Sequence, residues 1–283
     1  MNPSLRRDDW AGEMGERWLA NLDQFESMMQ PVGQALLARA AFKPGERVLD
    51  IGCGGGDNTR SIAAAVAPSG YVLGLDVSPV LIAEARRRAT QQAVPCIDFL
   101  TADAATDTPA AAPFDRLFSR FGVMFFADPP AAFAHLLRLL PPGGRFDFAC
   151  WAPLADNPWM GALADIVRRH VALPAPPVGE PGPFSLSDVS ALRSLLSAAG
   201  FVDIDSQLWR GPQWLGGQGA DAPAALRFAL QSMSFSRVVE AQTESVRQAI
   251  ADDLLAYLAA RHSRAGIALD ASAWLVSALR PPG

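Results

Sequence analysis

The sequence predicts an α/β fold, a mostly parallel sheet with helices on both faces. The first supporting observation is that short apolar runs alternate with helix-like segments from residue 47 to residue 151. The second is that the first two runs end in an acid, Asp50 and Asp76. The third is a glycine-dense turn, residues 52–56, between the first run and a helix. This order is typical of the ligand-binding edge of a parallel sheet.

The remaining elements of this core follow in sequence. Strands are predicted at residues 47–51, 71–76, 96–100, 114–118 and 145–151 from their apolar runs. After the second strand, Ser78 is predicted to cap a helix that has Pro79 at its first position. Another helix is predicted over residues 129–140, where Pro and Gly residues then stop it.

The turn after the first strand has the pattern D-x-G-x-G-x-G, starting at Asp50. Glycine lets a backbone approach a ligand closely, and the following helix begins with free N–H groups. A dinucleotide site requires G-x-G-x-x-G, but Asp57 stands where its last glycine would be. If the ligand carries an amino-acid tail, the Asp50 carboxylate suits the cationic amino group of that tail.

This turn resembles motif I of the class I S-adenosylmethionine (SAM) methyltransferases, and the five strands follow in that family's order. The resemblance implies a Rossmann-like fold, a mostly parallel seven-stranded sheet with an antiparallel last strand. It also implies SAM as cofactor and S-adenosylhomocysteine (SAH) as product. It places the ribose hydroxyls on Asp76, and the adenine on Asp103 and the next backbone N–H. Asp76 is expected to matter for the ligand and little for folding. The implied cofactor-binding residues are Asp50, Gly52, Cys53, Gly54, Asp76, Val77, Leu81, Asp103, Ala104 and Ser119.

The flanks resemble the ubiquinone/menaquinone C-methyltransferase-like, small-molecule branch of the family. The resemblance rests on the run from Trp10 to Trp18 and on a tryptophan run, residues 151–160, after the fifth strand. Residues 1–44 are predicted to be helical and to cover the cofactor site of a core spanning residues 45–152. Residues 153–283 are predicted to hold strands at about 201–209 and 271–279 with a substrate cap at about 153–185 and 220–264. Within that part, residues 211–219 are predicted to form a loop, and residues 222–262 two helices.

The acceptor site is predicted from aromatic and polar residues around the core. Its proposed lining is Trp10, Trp18, Arg120, Phe121, Met124, Trp151, Asn157 and Trp159. The four tryptophans are expected to converge on one apolar chamber roofed by the insertion. Alternatively, they anchor separate helices to the core. If the acceptor needs a base or an electrostatic partner, the weak catalytic candidates are Arg120, His170 and His262.

Composition narrows the function classes. The net charge is −5, and the basic cluster at residues 86–88 is interpreted as a solvated helix face, so a nucleic-acid partner is not expected. No apolar run approaches the ~20 residues that span a bilayer. Three scattered cysteines, Cys53, Cys96 and Cys150, indicate neither a disulfide framework nor a metal site, which favours a cytoplasmic location.

The expected activity is transfer of a methyl group from SAM to O, N or C of a small, fairly apolar molecule by in-line displacement. The alternative is a SAM-binding protein of the same fold that regulates, or that performs other chemistry such as cyclisation. The partner is therefore a small-molecule acceptor, and the oligomeric state is a monomer or a homodimer.

Overall fold

The computed structural model describes residues 7–174 and 180–283. The beginning of the predicted N-terminal segment and part of the first cap segment therefore lie outside the described residues. The sheet confirms the predicted fold class, with strand order β3-β2-β1-β4-β5-β8-β6. Strands β1 to β5 are parallel to their neighbours, whereas β8 is antiparallel to both β5 and β6.

Strands β1, β2 and β5 begin at the predicted residues, whereas β3 begins one residue and β4 two residues later than predicted. Their bounds are β1 Arg47–Ile51, β2 Tyr71–Asp76, β3 Ile97–Thr101, β4 Arg116–Arg120, β5 Arg145–Trp151, β6 Val202–Trp214, β7 His262–Ser263 and β8 Gly266–Leu279. The central strands are buried along almost their whole length, as expected of parallel strands with helices on both faces. Because β1 to β4 run in the same direction, their carboxyl ends meet at one edge of the sheet.

Helices cover both faces. Their bounds are α1 Arg7–Ala11, α2 Glu13–Ala20, α3 Leu22–Ala40, α4 Asp57–Val66, α5 Pro79–Gln91, α6 Pro129–Arg138, α7 Pro158–Arg168, α8 Val189–Ala198, α9 Ala222–Ser232, α10 Ser236–Glu240 and α11 Glu244–Ala259. Ser78 and Pro79 start α5 as predicted, although the Ser78 side chain makes no capping hydrogen bond. Gly200, with a φ of 97°, ends α8, and the Phe201 N–H donates to the Leu196 carbonyl.

The C-terminal part differs from the prediction in three respects. Strand β6 continues to Trp214, so residues 211–214 are strand and not loop. Gly211 is needed there because the Trp209 ring lies 2.4 Å from the position that a Cβ on Gly211 would take. Strand β8 begins at Gly266, five residues earlier than predicted, and the insertion holds three helices and the short strand β7 instead of two helices.

A buried charge network closes the amino-terminal edge of the sheet. The Asp147 carboxylate is completely buried and accepts hydrogen bonds from Arg116 (2.7 Å), Arg145 (2.6 Å) and the Ser277 hydroxyl (2.6 Å). Arg116 also donates to the Ala40 carbonyl at the end of α3. The network joins β4, β5, β8 and α3 on the side away from the strand-end acids, so its role is structural.

Among the residues that the structure describes, no helix is both long and apolar enough to cross a membrane.

Candidate active site

The turn between β1 and α4 takes a shape that only glycine adopts easily. Gly52, Gly54 and Gly56 have φ values of 67°, 55° and 78°, which explains why glycine stands at alternate positions of the motif. The Gly52 and Cys53 N–H groups donate to the Leu75 carbonyl, which ties the turn to the end of β2. A Cβ on Gly54 would meet no atom within 4 Å, so the turn presents bare backbone to open space at this point.

Asp76 supports this turn from the neighbouring strand. Its Oδ2 accepts a hydrogen bond from the Gly54 N–H and its Oδ1 one from the Ser78 N–H, each at 2.9 Å. Burial raises the pKa of Asp76, and these backbone N–H groups oppose that shift. Each oxygen retains one acceptor site, so two further donors can bind. The acid is thus part of the folded turn as well as a ligand candidate, which the sequence alone did not indicate.

Asp50 lies at the end of β1, beneath the turn, with 1% of its surface exposed. Its Oδ2 accepts a hydrogen bond of 2.6 Å from the Thr59 hydroxyl in α4. Burial raises the pKa of Asp50 to about 7, against the opposing effects of Thr59 and of the Arg120 charge. Burial also raises the pKa of the Cys53 thiol, and the nearby charges of Asp76 and Asp50 raise it further. Cys53 therefore stays neutral near pH 7 and is no nucleophile.

The other predicted cofactor residues lie along the same edge of the sheet. The half-buried Asp103 follows β3, and one of its carboxylate oxygens accepts from the Ala105 N–H. Val77 is half-buried at the end of β2, whereas Leu81 and Ala104 are buried in the packing beside it. Ser119 has no exposed surface: its hydroxyl donates to the Ile51 carbonyl and accepts from the Gly122 N–H. That hydroxyl therefore positions the β4 loop, and its hydrogen bonds are used inside the chain.

The N-terminal helices pack against this edge. Leu22 and Glu26 of α3 touch the turn, since a Cβ on Gly55 would lie within 2.7 Å of both side chains. Gly15 of α2 lies against Ser78, whose hydroxyl would be 2.3 Å from a Cβ on Gly15. Gly15 and Gly55 are thus points of close approach between the N-terminal segment and the predicted cofactor residues.

The predicted tryptophans form two aromatic groups. In the first, Trp10 contacts Trp18 and Phe125 edge-on, with ring centroids 5.5 and 5.0 Å apart, and Trp18 stacks on Phe25 at 3.7 Å. Phe228 of cap helix α9 completes this group, 5.0 Å from Phe25. The insertion therefore packs against the N-terminal helices.

In the second group, Phe121 stacks on Trp151 at 4.0 Å, and Trp151 lies 5.1 Å from Trp159. The two groups are linked through the segment that carries Phe121 and Phe125, where the Met124 sulfur accepts a 3.5 Å hydrogen bond from the Trp151 N–H. The four tryptophans thus pair as Trp10 with Trp18 and Trp151 with Trp159, on either side of this segment.

Asn157 has a structural role instead of the predicted place in the acceptor pocket. It is fully buried, and its amide donates to the Ala152 and Pro153 carbonyls. Its Oδ1 accepts from the Ser272 N–H at 2.9 Å and from the Trp159 indole at 3.1 Å. All four hydrogen-bonding positions of the amide are occupied, so nothing remains for a substrate.

The histidines are engaged elsewhere. His170, beyond α7, lies 2.9 Å from the Asp253 carboxylate of α11 and so joins two cap helices. His262 is exposed on the two-residue strand β7, paired with Ile267 of β8. Neither position suits a group that acts inside a buried pocket. Of the catalytic candidates, Arg120 alone lies beside the glycine turn, with its Nη1 3.8 Å from the Asp57 carboxylate.

Several residues of the site were missed from the sequence: Thr59 and Glu26 beside the turn, and Phe25 and Phe228 in the first aromatic group. Thr59 could have been found, since α4 places it one turn behind the glycine motif and facing β1. The others could not, because α3 and α9 meet only through tertiary packing. The structure also corrects the interpretation of residues 86–88: Arg88 is half-buried and bonds Asp23 and Glu26 of α3.

These features describe a doubly wound sheet whose glycine turn and strand-end acids meet at the carboxyl ends of β1 and β2. Residues 48–144 match the family described as a methyltransferase domain. This match covers the part of the chain that carries the glycine turn and strands β1 to β4.

Named relatives agree with this family. The chain is 37% identical over 118 residues to the aklanonic acid methyltransferase DauC of Streptomyces sp. (strain C5), covering 42% of this chain and 54% of that protein. It is 29% identical over 192 residues to the nocamycin O-methyltransferase of Saccharothrix syringae, covering 62% and 66%. The matches thus span between about half and two thirds of the length of these relatives.

Among solved structures, the chain is similar to the YcgJ protein of Bacillus subtilis. The TM-score is 0.57 and the identity 18%, with 89% of this chain and all of that chain covered. This likeness shows the fold alone.

Proposed function

We propose that this chain binds SAM at the glycine turn and transfers its methyl group to a small, fairly apolar acceptor. The observation that carries the proposal is the geometry of Asp76 and Gly54. The Asp76 carboxylate keeps one acceptor site on each oxygen, which fits the two ribose hydroxyls, and Gly54 faces open space beside it.

SAM supplies an already activated methyl on a sulfonium, so the protein needs to position the acceptor and keep water away. The two aromatic groups support this role, because their rings flank the segment after β4, next to the strand ends. Aromatic faces also attract a sulfonium, by about 0.5–2 kcal/mol. The indole Nε1 of Trp10 is buried and has no hydrogen-bond partner among the described residues, so it can donate to a polar atom of the acceptor.

The buried environment of these rings favours an apolar acceptor over a phosphorylated or highly charged one. Desolvating a charge among aromatic side chains without a partner is costly. The described residues contain no group of three or more His, Cys, Asp or Glu side chains arranged for a metal ion. The acceptor atom that we propose is an O, N or C that reacts when correctly oriented.

The proposal is tested by titration calorimetry with SAM and SAH on the full chain, followed by an assay of SAH release against a panel of phenols, amines and carboxylic acids. We expect binding at micromolar concentrations and acceptor-dependent release of SAH. Absence of heat with both ligands on folded protein would refute the cofactor site. Binding without methyl transfer to any acceptor class would favour the alternative, a SAM-binding protein with a regulatory or non-methyl role.

A further inference from the structure

We propose that Glu26 and Arg120 form a zwitterion-binding pair that holds the amino-acid tail of the cofactor, Glu26 at the ammonium and Arg120 at the carboxylate. The proposal rests on the proposed function, because it names the residues of this chain that read one part of SAM. It also moves Arg120 from the acceptor pocket, where the sequence placed it, to the cofactor.

The first observation is a pair of polar atoms without partners. The Oε1 atom of Glu26 and the Nη1 atom of Arg120 are both buried, and neither has a hydrogen-bond partner among residues 7–174 and 180–283. Leaving a buried polar atom of a charged group without a hydrogen bond is costly, so such atoms are uncommon in folded proteins. Two of them, of opposite charge and beside the same turn, indicate a ligand that carries both charges.

The second observation is their position. A Cβ on Gly55 of the turn would lie 2.7 Å from the Glu26 Oε1. The Arg120 Nη1 lies 3.8 Å from an oxygen of Asp57, the first residue of α4, and this is too long for a hydrogen bond. Both groups therefore border the turn between β1 and α4. No ion pair joins these two described side chains to each other.

The third observation is that Glu26 is held in place with one oxygen available. Its Oε2 accepts a 2.8 Å hydrogen bond from Arg88, which Asp23 and Glu84 also bind. This network fixes the side chain, so that Oε1 remains directed at Gly55. Burial and the neighbouring Asp57 charge raise the pKa of Glu26, against the opposing effects of the Arg88 and Arg120 charges.

The chain direction after β4 separates Arg120 from the acceptor side. Phe121 has a φ of 66°, which is rare for an aromatic residue, and its ring stacks on Trp151. The Arg120 side chain instead lies against α3, where its Nη1 would be 2.9 Å from a Cβ on Gly33. The backbone turn therefore sends consecutive side chains to different sites, Phe121 to the aromatic group and Arg120 to the glycine turn.

The test compares ligands that differ only in the tail. SAH carries the complete tail, 5′-methylthioadenosine has none, and two SAH analogues lack either the carboxylate or the ammonium. Binding of all four to the full-length chain is measured by calorimetry for wild type, Arg120→Met and Glu26→Gln. We expect Arg120→Met to weaken SAH by about 10- to 100-fold and to leave methylthioadenosine within about twofold.

The two truncated SAH analogues show which ligand group each of the two side chains binds. The analogue without a carboxylate should be insensitive to Arg120→Met but sensitive to Glu26→Gln, and the analogue without an ammonium should behave in the opposite way. Arg60→Met is the matched control, since Arg60 lies at the same turn but bonds the Gly55 carbonyl and Asp57. Its loss should disturb the turn and weaken SAH and methylthioadenosine by similar factors.

Equal effects of Arg120→Met on SAH and methylthioadenosine, or no effect on either, would overturn the proposal and leave both residues with a structural role. If Arg120→Met does not fold, Arg120→Lys and Glu26→Gln allow the same ligand comparison. Failure of the wild-type chain to bind either ligand would instead refute the proposed cofactor site itself, which is a different result.

Discussion

Replacing Asp76 by alanine is expected to weaken SAH binding by about 2–4 kcal/mol, roughly 30- to 1000-fold in Kd. The magnitude follows from two hydrogen bonds between the ribose hydroxyls and a carboxylate, each of which is charge-assisted. Because Asp76 also accepts the N–H groups of Gly54 and Ser78, the variant should lose stability as well. Ser78 is fully buried, so its N–H would remain unpaired, at a cost of about 1–3 kcal/mol.

Calorimetric titration with SAH and thermal unfolding without ligand measure the two effects separately. The matched control is Asp98→Ala on β3: Asp98 is exposed and accepts a hydrogen bond from the Tyr71 hydroxyl, so its loss should leave the Kd within about twofold. A folded Asp76→Ala protein that binds SAH as tightly as wild type would show that this strand end does not hold the ribose. Unchanged thermal unfolding would show that the turn does not depend on the carboxylate.

Three further outcomes are expected. Asn157→Ala should destabilise the chain by about 2–4 kcal/mol because four hydrogen bonds of the buried amide are lost. The Kd for SAH should not change, and normal stability in denaturant unfolding would contradict this structural role. Asp147→Ala should cost about 1–3 kcal/mol by removing one of the two carboxylates that pair with the buried Arg116, the other being Glu46, again without a change in SAH affinity. An unfolding midpoint equal to that of wild type would refute it. The pKa of Asp50 in the folded state, about 7, lies above its value in the unfolded state, so the proton on Asp50 favours folding. The contribution of this proton to the free energy of unfolding therefore falls as the pH rises from about 4 to 7. Denaturant unfolding measured across this pH range should show that fall for wild type, and Asp50→Asn, whose amide does not titrate, should remove it.

The sequence determined the core of this protein because its signals are local. An apolar run, a strand-end acid and alternate glycines specify strand, turn and helix within some fifteen residues, as the φ values of Gly52, Gly54 and Gly56 show. The order of such units implies the parallel sheet, since right-handed crossovers leave few arrangements. Asp50, Asp76 and the turn could therefore be placed together from the sequence.

The tertiary structure decided which functional side chains meet and which are already used. The sequence predicts Asn157 and Ser119 as site residues, yet both already hydrogen-bond to residues far away in the chain. Asn157 accepts from the Ser272 N–H, and the Ser119 hydroxyl donates to the Ile51 carbonyl. Glu26 gave no signal, because one acid in an amphipathic helix is usually solvated, and only the packing of α3 on the turn buries it beside Gly55. Local sequence patterns determine the backbone conformation. The partners of a polar side chain depend on long-range packing, and no short stretch of sequence specifies that packing.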